Sequence, residues 1–288
     1  MSFINPKTDF AFKKIFGSNE SKNILISFLN ALIYNAQPII EDLEIIDPYL
    51  APAFQGLKDT YLDVQAKLKD GSLVIIEMQV LNVESFGKRV LYNAAKAYSL
   101  QLESGEGYRS LKPVIALTIT DFLMFSESSQ LISHFVFKEE TSNLKYTEIG
   151  IDLVFVELPK FEKQEKELET LTDKWIYFIK SASQLNSVPS NLGEVPEIER
   201  AFQIADRVNL TAKELEELEK REMFIQDQQG AILLAKKEGL AEGKQEGRKE
   251  KALEIASQLL DILDDETISQ TTALPIEEIR NLRDKTRG

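Results

Sequence analysis

The chain has no cysteine and a single histidine, His134, in 288 residues. The first absence removes disulfides, thiolate zinc sites, iron–sulfur clusters and cysteine nucleophiles. The second removes any multi-histidine metal site and argues against a Ser-His-Asp triad. Catalysis, if present, falls to carboxylates and amides. No run of 18 apolar residues occurs, so no membrane-spanning segment is expected. Glycine and proline are sparse, at 13 and 9, which rules out a collagenous or low-complexity chain. The opening Met1-Ser2-Phe3-Ile4-Asn5-Pro6 lacks the basic residues and apolar stretch of an export signal. Together with the missing cysteines, this predicts a cytoplasmic protein.

Positive charge is also short. Lys and Arg number 34 against 47 Asp and Glu, a net of −13, split as −5 over residues 1–160 and −8 over 161–288. Binding phosphate through an overall field needs clustered Lys and Arg. Contact with nucleic acid must therefore be local, or helped by a divalent cation. What the chain does carry is core material, with 43% hydrophobic and 9% aromatic residues.

From Thr8 to Tyr34 the apolar spacing is helical, broken at Gly17-Ser18-Asn19, with Ser18 or Asn19 as the expected N-cap. Residues 43–80 switch to strand chemistry, 84–104 return to helical spacing, and Pro113–Ile119 reads as a buried strand. His134–Phe137 and Ile149–Leu158 read as two more strands, with His134 in a structural role. This order predicts one α/β or α+β core. An acidic helix follows over 162–183, in which Trp175, Phe178 and Ile179 form a packing stripe, and then a loop over 187–196. Residues 197–238 are charged and helical. Glu238-Gly239, Glu242-Gly243 and Glu246-Gly247 repeat with a period of four. Each Gly costs about 1 kcal/mol inside a helix, so residues 239–251 are expected to be a loosely helical linker rather than a helix whose small face packs close to a neighbour. A small helical unit is expected over 252–288, its last helix started by Pro275. The domain division predicted is thus 1–183, 197–238, 239–251 and 252–288.

The informative stretch runs from Leu62 to Gln79. Two strand-like runs flank Lys69-Asp70-Gly71, which signals a hairpin. A two-residue Asp70-Gly71 turn would set Asp63 opposite Met78 and send Glu77 to the other face. A three-residue turn with Gly71 left-handed would set Asp63 opposite Glu77, with Gln79 two residues along. Leu62, Val64, Ala66, Val74, Ile76 and Met78 would then form the apolar face. Directly opposed carboxylates repel each other, and the pair invites a bridging divalent cation. Mg²⁺ takes one or two carboxylates plus waters and substrate phosphate oxygens. Glu77 interrupts an otherwise apolar strand, where an unpaired carboxylate is costly.

Asp9-x-x-Phe12-Lys13-x-x-Phe16, Leu62-Asp63-Val64 and Ile76-Glu77-Met78-Gln79, followed by a Tyr-bearing helix, resemble the PD-(D/E)XK nuclease family transposases, also called recombination-promoting nucleases. The resemblance covers roughly residues 1–180, and the Glu-Gly repeat and terminal helices look like that family's tail. It implies a restriction-endonuclease-like α/β core, a mixed sheet flanked by helices, with an all-helical C-terminal extension. It implies metal-dependent cleavage of DNA phosphodiesters, linked to recombination, mobile DNA or defence. Asp63 and Glu77 would hold Mg²⁺ (or Mn²⁺ or Ca²⁺), with the Met78 carbonyl as third ligand by resemblance. Gln79 stands where the wider superfamily usually has Lys. An amide does not titrate near neutral pH, so Gln79 is expected to orient water. Asp9 either approaches the metal or serves as a helix N-cap or first-turn acid. Lys88, Arg89, Tyr92 and Lys96 follow at helical spacing, as phosphate contacts, as substitutes for the missing motif lysine, or as a solvated helix face, which is the expected reading of each. Ile268–Leu282 has the outline of a helix-turn-helix, but its acidic neighbours favour protein–protein packing. The tail is expected to pair two copies of the chain and to supply no catalytic residue. Two alternative functions fit the same residues: a catalytically silent nuclease fold acting as an interaction protein, and a nuclease directed at RNA.

Overall fold

A computed structural model describes residues 2–51, 60–103, 105–146 and 150–287; parts of several expected elements (residues 52–59, 104, 149 and 288) lie outside these. The N-terminal helical period becomes α1 (Asp9–Phe16) and α2 (Lys22–Ile33). The N-cap of α1 is Thr8, whose side chain accepts from the Ala11 N–H. Neither Ser18 nor the residue before α2 makes a side-chain cap bond. Strands β1 (Leu43–Ile46), β2 (Tyr49–Leu50), β3 (Thr60–Tyr61), β4 (Val64–Leu68) and β5 (Leu73–Gln79) come next. Then follow α3 (Phe86–Ser99), β6 (Val114–Thr120), β7 (Ile132–Phe135) and β8 (Ile151–Glu157). The chain ends in α4 (Leu171–Ser181), α5 (Ser190–Gly193), α6 (Pro196–Ala205), α7 (Ala212–Leu259), α8 (Asp265–Thr272) and α9 (Ile276–Arg287).

Six strands form one mixed sheet in the order β1-β4-β5-β6-β8-β7. The centre, β5-β6-β8, is parallel, and the flanking pairs are antiparallel. All seven residues of β6 are buried, as a parallel strand covered on both faces requires. On one face Val74, Ile76, Leu117, Ile119, Val154 and Val156 meet α1, α2, α4 and α6. On the other, Ile75, Val114, Ala116 and Phe155 meet α3 through Phe86, Val90, Ala94 and Ala97. The fold is thus mixed α/β, a six-strand sheet flanked by helices, with a helical C-terminal region.

The hairpin takes the three-residue turn. Val64 pairs with Ile76, Ala66 with Val74 and Lys67 with Leu73, and Gly71 has φ +90°. Trp175 packs as a core residue against Phe16, Phe28 and Phe178, and its indole N–H donates to Ser27 Oγ at 3.1 Å.

Three expectations need correction. Leu62 does not share a face with Val64 and Ala66. It lies on the α3 side with Ile75, because the chain bends at Asp63 before β4 begins and the alternation is broken there. Second, the α/β core does not end at 183. Ile198, Ala201 and Phe202 of α6 are fully buried in it, with the Phe202 ring 4.9 Å from Phe3 and 4.8 Å from Phe178. Ile4 N–H donates to the Ala205 carbonyl at 2.8 Å, and the compact unit runs from Met1 to Ile225. Third, the Glu-Gly repeat is not a break, since Gly239, Gly243 and Gly247 lie inside α7. Their neighbours Leu240, Ala241, Lys244, Gln245 and Arg248 are strong helix formers, which offsets the cost of the glycines.

Residues 226–288 form a second unit. Ala256, Leu260, Ile268, Leu274 and Ile279 build its small core, and Arg283 ties Asp265 to the Leu260 and Leu263 carbonyls. No described helix is long and apolar enough to cross a membrane.

Candidate active site

The site lies where β4 begins and β5 ends, between α1 and α3. Asp63 leaves the ladder there. Its own N–H donates to the Ile76 carbonyl at 3.2 Å, while its Oδ2 accepts the Met78 N–H at 2.8 Å. The side chain has taken an acceptor position that a ladder carbonyl would fill. Its other oxygen, Oδ1, faces Lys13 Nζ of α1 at 3.6 Å. Burial pushes the Asp63 carboxyl up to about 6, against the pull of the Met78 N–H and Lys13, and the charges of Glu77 and Asp9 push the same way.

Glu77 points toward α3. Asn93 Nδ2 donates to its Oε1 at 2.5 Å, and Arg89 Nη2 stands 3.8 Å from Oε2. That Oε2 is buried and has no hydrogen-bond partner. Burial raises the Glu77 carboxyl above its ordinary value, while Arg89 and Asn93 oppose the shift. Gln79 is held at both ends of its amide. Oε1 accepts from Arg89 Nη2 and Nε2 donates to the Leu81 carbonyl, both at 2.7 Å. One guanidinium therefore touches Glu77 and Gln79 together. The Asp121 N–H donates to the Gln79 carbonyl at 3.0 Å, and Lys7 Nζ reaches Asp121 Oδ2 at 2.7 Å, closing this end of the sheet.

The family profile described as PD-(D/E)XK nuclease family transposase matches residues 6–235. The chain belongs to that family. No curated protein and no solved structure matches it. The nuclease family implies a nucleic-acid substrate.

Such nucleases generally use divalent metals, and the residues present fit one. Two mutually repelling carboxylates, one with an orphaned buried oxygen, are a donor set that a cation would complete. Among the described residues no three Asp, Glu, His or Cys side chains gather as a metal site. Asp9 is a first-turn acid of α1 whose Oδ1 accepts the Phe10 N–H at 2.9 Å and whose Oδ2 lies 3.4 Å from Arg221 Nη1 of α7.

Of the four positions on α3, Lys88, Arg89 and Tyr92 are exposed. Lys96 departs from a phosphate-facing role. It is buried, and its ammonium donates to the Leu50 carbonyl at 2.8 Å and approaches Thr60 Oγ1 at 3.3 Å. It lies about two helical turns beyond Arg89, under β2 and β3. Sequence reasoning missed Asn93 and the proximity of Lys13. Both carried a helical-spacing signal, Asn93 four residues after Arg89 and Lys13 four after Asp9, which brings each pair to one helix face.

Proposed function

We propose that this chain is a metal-dependent DNA endonuclease acting in recombination, mobile DNA or defence. Asp63 and Glu77, with the Met78 carbonyl, would hold Mg²⁺, or Mn²⁺ or Ca²⁺ in its place. When bound, that ion lowers the pKa of a coordinated water and offsets charge developing on the phosphate. The protein's own groups orient this arrangement. Met78 N–H fixes the Asp63 carboxylate, Asn93 fixes Glu77, and Gln79 keeps Arg89 beside it. Lys88 and Tyr92, exposed on the same helix as Arg89, are suited to touch the DNA backbone.

One observation carries this reading: Glu77 Oε2, buried without a hydrogen-bond partner beside a second buried carboxylate. Glu278 Oε2 is also buried without a hydrogen-bond partner, so it is the second carboxylate nearby that sets Glu77 apart as a donor for a cation. Nicking of supercoiled plasmid under Mg²⁺ titration tests it, with an RNA of similar size in parallel. Glu77→Ala should fall to background. Full activity in that variant would place the cleavage elsewhere.

A further inference from the structure

Cleaving a phosphodiester concentrates negative charge on the phosphate, and the two site carboxylates repel it. A protein cation facing the phosphate relieves this. The described cations around the site are mostly committed. Lys7 holds Asp121 at 2.7 Å, Lys14 holds Glu214 at 2.6 Å, and Arg89 is shared between Gln79 and Glu77. Lys96 is turned to the backbone at Leu50. Gln79 cannot stand in, because both ends of its amide are engaged.

Lys13 differs. Its Nζ lies 3.6 Å from Asp63 Oδ1, longer than a charge-assisted hydrogen bond, and its side chain is 44% exposed where Asp63 is 15%. Lys13 is thus the exposed partner of a largely buried carboxylate, and its ammonium is open to an anion that approaches Asp63 from solvent. Its partner oxygen is also one that a metal ion would claim, which would release the ammonium toward an incoming anion.

We propose that Lys13, carried in from α1, is a catalytic residue that contacts the scissile phosphate and supplies the positive charge Gln79 lacks. In the absence of substrate it lies beside Asp63 and offsets part of its charge. The proposal rests on the nuclease reading above, and the experiment separates the two.

Full-length wild type, Lys13→Met, Lys13→Arg, Lys220→Gln and Glu77→Ala are compared in two assays. In single-turnover cleavage with Mg²⁺, Lys13→Met should lose about 10²-fold, as for loss of one oxyanion contact. In duplex binding with Ca²⁺, its slope of log affinity against log salt should fall by about one, the signature of one lost phosphate contact. Lys13→Arg should keep that slope. Lys220→Gln, which removes the exposed pair with Glu216, should stay within about twofold in both assays. Lys13→Gln replaces Lys13→Met if the latter fails to fold. An unchanged salt slope and cleavage rate in the Lys13 variant, beside an inactive Glu77→Ala, would overturn the proposal and leave the nuclease reading standing. An active Glu77→Ala, or a wild type that neither binds nor cuts, would overturn both.

Discussion

Ionising Asp63 costs the folded chain stability. Its carboxyl is pushed up to about 6 from 3.8, so the folded state holds a proton that the unfolded chain has released across that interval. The contribution of Asp63 to stability therefore falls as pH rises from about 4 to about 6, and its full cost, about 3 kcal/mol, is present above that. Asp63→Asn keeps an oxygen to accept the Met78 N–H and removes the charge. At neutral pH without metal it should melt higher than wild type, and the advantage should vanish at pH near 4. With Mn²⁺ added, wild type should gain stability and the Asn variant should not. A variant less stable than wild type in metal-free neutral buffer would mean the buried charge is already compensated. The site carboxylates themselves could be read in the sequence, since a Glu inside Val74-Ile75-Ile76 chemistry is conspicuous. The Asp63 bend could not, because nothing in Leu62-Asp63-Val64 says that a side chain will replace a ladder carbonyl.

At the scale of elements, one turn sets the site. The hairpin sequence allowed two registers, and the left-handed Gly71, with φ +90°, goes with the one that pairs Val64 with Ile76 and so leaves Asp63 beside the end of β5 that carries Glu77. A Cβ there would meet the Lys112 side chain at 3.2 Å, which can yield, so the cost of Gly71→Ala is mainly backbone strain of about 1–2 kcal/mol. Urea unfolding should show that loss, with Gly71→Asn milder because Asn tolerates the left-handed region. An Ala variant as stable as wild type would show that the turn has another low-energy form. Strand and helix types were legible where burial dictates pattern, as in the apolar run of β6 or the Phe12, Phe16 and Phe28 spacing of α1 and α2. They were not legible in α7, where three glycines outweighed strong helix formers in the reading but not in the chain. Residues 198–202 were equally opaque, since a short amphipathic helix does not announce which surface it covers.

For the whole molecule, the boundary of the folded unit decides which fragments survive. A chain ending at Ser183 loses α6 and exposes Phe3, Phe178 and the floor they share with Phe202. It should aggregate or melt far below wild type, whereas a chain ending at Ile225 should fold and nick plasmid. Light scattering on the latter beside the full chain also tests whether residues 226–288 pair two copies: the full chain should run as a dimer and the shortened one as a monomer. If both are monomers, that role for the tail is lost. The reason the unit reaches so far lies in α1. Glu214 and Arg221 of α7 grip Lys14 and Asp9, on either side of Lys13. A match running to residue 235, well past the last strand, then has a physical cause. In any exchange of modules between relatives, a splice placed at the end of the sheet would separate the helix bearing Lys13 from the residues that brace it. Only a join beyond Ile225 would let a foreign tail be inherited without unsettling that helix.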